Sequence, residues 1–476
     1  MLSVPAMSEA AMTDTVAAQP AWLPAALAYV TNWLEYQMRS TQQPGCVLAV
    51  ASGGALVLET AFGHANAVAA TRLTPRHRFR VASHSKSFTA AAIMKLREQG
   101  RVKLDDTAGQ YVAGLHPGIA AATVAQLLSH TAGIFRDGTD CAYWLDRAPF
   151  SDAQRIRADL ALPPAIDANT RLKYSNHGFA LAGLVIEAIT GEPYATWVAR
   201  EVVAPAGLRE TTPDMPIAKS ARFASGHSLR LPLGHRVIFP ADGATHALAA
   251  ATGFVSTAAD LVRFFSQLAP TAAQSFLSPA SRREMIRPHW REAHAAQQRA
   301  YGLGIISGSE DGWDWFGHSG GFQGTLTRTA VVPAQGLAVS VLTNAADGQS
   351  GVWLEGVLRI LKTFAEGGAP TTTAADWAGR WWSVWGAFDL VPVGDKVLVG
   401  RPGLLHPLQH AAELAIEGPD RGRIALDGSF GSHGEPVRRV YGKSGAATEL
   451  WLAGSKLVPE KVLAQELTRR YAKSPS

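Results

Sequence analysis

Apolar residues change their spacing several times along this 476-residue chain, and the order of those changes constrains the fold more than any other feature. AWLPAALAYVTNWLEYQMRS (21–40) carries Leu23, Leu27, Val30 and Leu34 at three- and four-residue intervals, the mark of an amphipathic helix, which Pro44 and Gly45 end. CVLAVASGGALVLETAFG (46–63) is two apolar runs around Ser52-Gly53-Gly54, a hairpin pattern. A helical middle follows. Ser83 opens one helix, with Phe88, Ala91, Ala92, Met94 and Leu96 on its apolar face and Gly100 as its C-cap. TVAQLLSH (123–130) starts on a Thr123 cap, HGFALAGLVIEAIT (177–190) closes on Gly191, another helix covers 194–204, and Thr257 with Asp260 forms a capping box before LVRFFSQL. Near residue 300 the period becomes that of strands in YGLGIIS, DWFGHSGG, QGTLTRTAVV and LAVSVLTN, with a return at Pro333-Ala334-Gln335-Gly336. A helix at 350–365 packs back on them. Strands at both ends of a helical middle make a layered α+β sheet rather than a βαβ array.

EGGAPTTTAAD (366–376) has the composition of a linker. Short strands follow it, with Trp377, Trp381, Trp382 and Trp385 crowded at their start. They predict a small all-β barrel or sandwich of roughly 100 residues. The charged tail at 461–476 reads as a short helix. The expected organisation is a flexible segment at 1–20, a main domain at 21–365, the linker, and an all-β domain at 377–476.

With 47% hydrophobic and 17% charged residues, a large buried core is available and bulk disorder is excluded. The net charge of +5 is scattered, its longest basic clusters being RHRFR (76–80) and SRR (281–283), so no nucleic-acid footprint is present. No stretch reaches 18 uninterrupted apolar residues, so no membrane span is expected, and the N-terminus lacks the basic and apolar regions of a secretion signal. Cys46 and Cys141 cannot build a disulfide framework, and a cytoplasmic location is expected. The 15 histidines are dispersed, with no HExxH, so no metal and no cofactor is expected.

Three short motifs carry chemistry. Ser83 and Lys86, in SHSK, are three apart at a helix start and share a face. Burial and the helix N-terminus lower a lysine pKa, and a neutral lysine can take a serine proton. Tyr174-Ser175-Asn176 lies between an extended segment and the apolar helix at 177–190. Its phenol can relay a proton, and Asn176 can hold Lys86 or a substrate amide. His318-Ser319-Gly320-Gly321 sits on a strand where glycine permits close backbone approach. The free N–H groups of an edge strand can pair an extended substrate, and the Gly321 N–H can serve an oxyanion opposite that of Ser83. Trp313, Trp315 and Phe316 precede this motif as possible walls of an acyl-side pocket.

SHSK, YSN and HSG, in this order, resemble the class C β-lactamase and DD-peptidase-like serine hydrolases, in their D-aminopeptidase and esterase branch. The resemblance covers about residues 25–365 and includes LLSHTAGI (127–134), GFVSTAADLVRFF (253–265) and YGLGI (301–305). It implies a β-lactamase/transpeptidase-like α+β domain with an all-helical subdomain and a cleft between. The small all-β C-terminal domain resembles the lipocalin-like barrels appended to some D-aminopeptidases, which gate a cleft, join copies or simply stabilise. The implied roles are Ser83 as acylated nucleophile, Lys86 as its hydrogen-bonded helper, Tyr174 as general base and then acid, and Asn176 and His318 as substrate-positioning groups. The N–H groups of Ser83 and Gly321 are the implied oxyanion hole. His318 departs from the lysine of β-lactamases and turns the expectation away from those drugs. The expected activity is an amidase or peptidase for small peptides or D-amino-acid derivatives. A short-chain carboxylesterase is the alternative, and the intact Ser83, Lys86 and Tyr174 argue against a non-catalytic binding protein. The expected partners are a small-molecule or short-peptide substrate and further copies of the chain.

Overall fold

Gly45–Ser52 and Ala55–Asn66 pair as the expected hairpin, and Gly45–Ser52 pairs on its other side with Leu337–Thr343. Strands from the two ends of the main domain thus share one sheet. In this computed structural model, which describes residues 19–231, 233–291, 299–428 and 431–471, that sheet has nine strands. Its order is Thr71–Arg72, Ala55–Asn66, Gly45–Ser52, Leu337–Thr343, Thr325–Val332, Trp313–Phe322, Ile306–Glu310, Arg299–Tyr301 and Trp290–Arg291. Residues 1–18 of the expected flexible segment lie outside the described residues.

Period-two alternation divides Gly45–Ser52 between two cores. Val47, Ala49 and Ala51 face the helical body, whereas Cys46, Leu48 and Val50 face helices Leu23–Thr41 and Ser350–Gly367. A one-residue slip would exchange the two faces. Each large side chain buried there contributes about 1.5–3 kcal/mol, so the register is strongly specified.

The helical elements sit where the spacing places them. Thr123 caps Val124–Leu128 in a full capping box with Gln126, and Gly191 ends Asn176–Thr190 in the left-handed region at φ 73°. Two local expectations are corrected. Thr257 does cap Ala258–Leu268, but Asp260 does not return the bond; its carboxylate instead accepts from the Glu210 N–H and the Thr211 hydroxyl. Ser83 does not open a helix. It lies in a 3-10 turn, Ala82–His84, and the helix runs Ser85–Glu98. Ala82 has φ 47°, a left-handed conformation that strains a residue with a Cβ and reverses the chain just before Ser83.

Beyond Ser350–Gly367 the chain enters an eight-stranded antiparallel meander from Gly379–Ser383 to Ser455–Leu457. Trp382 and Val458 exchange backbone hydrogen bonds of 2.8 and 2.9 Å, which brings the first strand against the segment after the last and nearly closes a barrel. Closure removes most of the exposed strand edge. Val391, Val393 and Leu398 of this barrel join the core behind the main sheet. The tail forms the helix Glu460–Tyr471. No described helix is long and apolar enough to cross a membrane.

Candidate active site

The Ser85–Glu98 helix is buried almost throughout, and Lys86 in its first turn has no exposed surface. Its Nζ lies 3.1 Å from Ser83 Oγ, 2.7 Å from Asn176 Oδ1 and 2.9 Å from the Ala251 carbonyl. The two carbonyl-type oxygens accept the two N–H bonds of a neutral amine. Its lone pair is then left for the Ser83 hydroxyl to donate into. Burial drives the Lys86 pKa well below its usual value, helped by Arg136 and opposed by Asp137. Three oxygens would equally suit an ammonium, so it is burial that favours the neutral amine aimed at the serine.

Asn176 is oriented by a residue that the motifs did not reveal. Its Nδ2 donates to Asp137 Oδ1 at 2.6 Å, which turns Oδ1 toward Lys86. The Trp144 Nε1–H reaches the same carboxylate oxygen at 3.0 Å, and Arg136 Nε donates to Oδ2 at 3.0 Å. Asp137 stands in a loop without periodicity, so no sequence signal marked it. Its charge raises both the Lys86 and the Tyr174 pKa. Asp137→Asn is expected to move the acid limb of the kcat/KM–pH profile to lower pH, because Lys86 loses a nearby anion that favours its protonated form. An unmoved limb, or one moved upward, contradicts this arrangement.

Tyr174 is half-buried, with Lys86 Nζ 4.8 Å and the Arg136 guanidinium 5.2 Å from its ring centre. Burial pushes its phenol up to about 12, against the pull of a hydrogen bond with Ser83 and of Arg136. His130 sets this loop: its Nδ1 accepts the Ser175 N–H at 3.1 Å, and its ring centre is 4.1 Å from that of Tyr174. The bond at Nδ1 places the proton of a neutral imidazole on Nε2, which has no partner among the described residues. Burial, with Lys86, His318 and Arg136 adding, lowers the His130 pKa well below the usual range.

Strand Trp313–Phe322 brings the third motif to the same cleft. Its pairing with Ile306–Glu310 ends at Gly317, so residues 318–322 present a free edge there. Antiparallel residues alternate between bonding the partner strand and turning their N–H and C=O outward. Counted from the closing pair Phe322–Thr325, Ser319 and Gly321 turn outward. Gly320 lies against the nucleophile turn: a Cβ there would stand 2.1 Å from the Val81 carbonyl oxygen. His318 is buried, and its Nε2 is 2.9 Å from the Tyr301 hydroxyl. Burial, reinforced by His84 and Lys86, lowers its pKa well below the usual range. His84, inside SHSK, turns away from the serine, with its ring nitrogens against the Val81 carbonyl and the Thr329 hydroxyl at 3.0 Å.

The expected aromatic pocket is corrected. Trp313 and Trp315 pack behind the sheet with the helices Leu23–Thr41 and Ser350–Gly367, and Phe316 is buried in the main core. Both faces of this strand are covered, so composition alone did not show which side met solvent. A different aromatic group stands beside the serine. Trp144 and Phe150 pack against Ala82, Ala241 and Phe322. Trp144 meets Phe150 edge-on at 5.3 Å, and Phe150 stacks on Phe322 at 5.6 Å. Phe322 follows Gly321, and Trp144 is tied through Asp137 and Asn176 to Lys86. Among the described residues no group of three or more His, Cys, Asp or Glu is placed to hold a metal ion.

Fold and site together place a Ser-x-x-Lys pair at a helix start beside an antiparallel sheet. The chain belongs to the Beta-lactamase family, whose model matches residues 30–354. Protein flp of Staphylococcus aureus (strain MW2) is 26% identical over 204 residues, 41% of this chain, and this chain spans 40% of that relative. Among solved structures, the octameric penicillin-binding protein homologue from Pyrococcus abyssi matches at TM-score 0.63 and 21% identity. It covers 91% of this chain and all of its own. The D-stereospecific amidohydrolase from Streptomyces sp. matches at TM-score 0.58 and 25% identity, over 69% of this chain and 98% of that one.

Proposed function

We propose that this protein is an amidase or peptidase for small peptides or D-amino-acid derivatives, working through an acyl-enzyme on Ser83. The observation that carries the reading is the fully buried Lys86 with its Nζ on Ser83 Oγ, beside Tyr174 and the free strand edge at Gly321. Lys86 takes the Ser83 proton as Oγ bonds to the substrate carbonyl carbon. The carbonyl oxygen becomes an oxyanion held by the N–H groups of Ser83 and Gly321. With its phenol near 12, Tyr174 starts protonated and is suited to give its proton to the leaving amine nitrogen as the C–N bond breaks. Lys86 then passes a proton back to the phenolate. Water attacks the ester with Tyr174 as relay, which releases the acid and restores Ser83. The electrostatics thus give Lys86 the first proton transfer, a larger part than the resemblance implied.

The Streptomyces amidohydrolase supports amides and D-stereochemistry, and the Trp144–Phe150–Phe322 group supports an apolar or aromatic side chain next to the reacting carbonyl. His318 supplies no cation at neutral pH, which argues against efficient β-lactam hydrolysis. Assembly of several copies belongs to the same reading, supported by the octameric homologue, as does a reducing cytoplasm, in keeping with the free Cys46 and Cys141.

The test is a panel of D- and L-phenylalanyl and alanyl p-nitroanilides, p-nitrophenyl acetate and nitrocefin against the wild-type chain and Ser83→Ala. The D-anilides are expected to turn over well above the Ser83→Ala background, and nitrocefin poorly. Amide kcat/KM equal to that background, with ester turnover intact, replaces the amidase by an esterase. Phe150→Ala is expected to lower the phenylalanyl-over-alanyl preference about tenfold while preserving ester turnover. An unchanged preference removes the aromatic group from substrate recognition.

A further inference from the structure

A cavity of about 670 Å³ opens at one end of the C-terminal barrel, away from Ser83. The meander brings four hairpin connections to that end, between Ser383 and Gly386, Gly400 and Ala412, Leu426 and Pro436, and Leu452 and Ser455. Each contributes to the wall. The rest of the barrel is packed, with Trp377, Val397, Leu414, Val437 and Leu450 buried inside. A barrel of eight strands is just wide enough to be filled by side chains or to hold one small ligand. This one is filled at one end and has ligand-sized space at the other.

The floor is apolar, because Val399, Ile424 and Leu457 belong both to the packed core and to the cavity wall. At the mouth, Val384 and Trp385 are 66% and 90% exposed. An indole that contributes so little to the fold is available to a ligand. The charged wall residues are mostly engaged. Lys456 pairs with Glu449, Glu466 pairs with Arg470, and Asp427 accepts the Ser432 N–H at 2.8 Å. Arg401 has no ion pair and no side-chain hydrogen bond among the described residues. Its segment is nevertheless held firmly. The Arg401 N–H donates to the Pro407 carbonyl at 2.8 Å, and Gln37 Nε2 and Trp33 Nε1 donate to the Pro402 and Leu404 carbonyls at 2.7 and 3.1 Å.

We propose that this end of the barrel binds an amphiphilic carboxylate, with its apolar body on the Val399–Ile424–Leu457 floor beside Trp385 and its carboxylate on Arg401. The inference goes beyond the hydrolytic activity and does not depend on it. An unpaired guanidinium next to apolar surface favours an anion joined to an apolar group, and its fixed segment lowers the ordering cost of binding. Calorimetric titration of the full chain with decanoate and with decylammonium, both below micelle formation, tests it. Saturable one-to-one binding of decanoate is expected, about tenfold or more tighter than decylammonium. Arg401→Gln is expected to erase that difference, Arg401→Lys to keep most of it, and Trp385→Ala to weaken decanoate. No saturable decanoate binding, equal affinity for the two amphiphiles, or an affinity indifferent to both Arg401 and Trp385 overturns the proposal. Arg401 and Trp385 are exposed and the Arg401 side chain has no partner among the described residues, so an unchanged melting temperature separates lost binding from lost folding.

Discussion

Ser83→Ala is expected to lower kcat/KM for both D-aminoacyl anilides and p-nitrophenyl acetate to the residual level, a loss of roughly 10⁵- to 10⁶-fold. In the proposed mechanism the Ser83 oxygen is the atom that becomes acylated, and no neighbour among the described residues replaces it. Ser85, two residues on, is buried with its Oγ engaged between the Ala82 carbonyl at 2.5 Å and the Phe254 N–H at 3.0 Å. The substitution should barely disturb the fold. Ser83 is half-exposed in the 3-10 turn, and Lys86 keeps its bonds to Asn176 Oδ1 and the Ala251 carbonyl. A melting temperature within a few degrees of wild type is therefore expected beside the loss of turnover. Retained turnover would remove Ser83 from the chemistry.

Lys86→Met is expected to cost about a thousandfold or more in kcat/KM, because Tyr174, which also hydrogen-bonds Ser83, has its phenol pushed up to about 12 and holds its proton at neutral pH. Its effect on stability has a definite sign with pH. The Lys86 pKa in the fold lies well below its ordinary 10.5, so between that depressed value and 10.5 the unfolded chain binds more protons at this residue than the folded chain does. Wild-type stability thus rises with pH across this window, and the penalty of burying the amine is full only below the depressed pKa. Methionine carries no such penalty, but it leaves the Ala251 carbonyl and Asn176 Oδ1 without a donor, at about 1–3 kcal/mol each. These terms oppose at neutral pH, so the informative quantity is the slope. Stability of the variant relative to wild type should fall as pH rises toward 10.5. A relative stability that is flat or rises over that range contradicts a neutral buried Lys86. A kcat/KM within tenfold of wild type contradicts its role as base.

Much of this site was legible because each motif has a local physical cause. Thr123 and Gly191 mark helix ends through capping and a left-handed φ, and the glycines of HSGG mark a backbone that approaches another closely, as Gly320 does the Val81 carbonyl. SHSK and YSN contain Ser83 and Asn176, which the fold brings to Lys86. What remained hidden depends on tertiary placement. Asp137 gains meaning only because the chain returns it to Asn176, and Tyr301 because its strand puts its hydroxyl on His318. Trp313 and Trp315 misled because a strand covered on both faces carries no polar side to set its orientation. The Ala82–His84 turn was read as helix because Ser83 and Lys86 share a face in either geometry. The barrel cavity depends on which hairpin ends the meander gathers, which no single strand reports.

The most direct test of the central claim is the intact mass of the protein after treatment with a fluorophosphonate probe, followed by peptide mapping. The wild-type chain should gain one probe mass, located on Ser83, and the Ser83→Ala chain should gain none. A wild-type chain that stays unlabelled under conditions where it turns over substrate, or a Ser83→Ala chain that labels as the wild type does, would contradict an acyl-enzyme on Ser83.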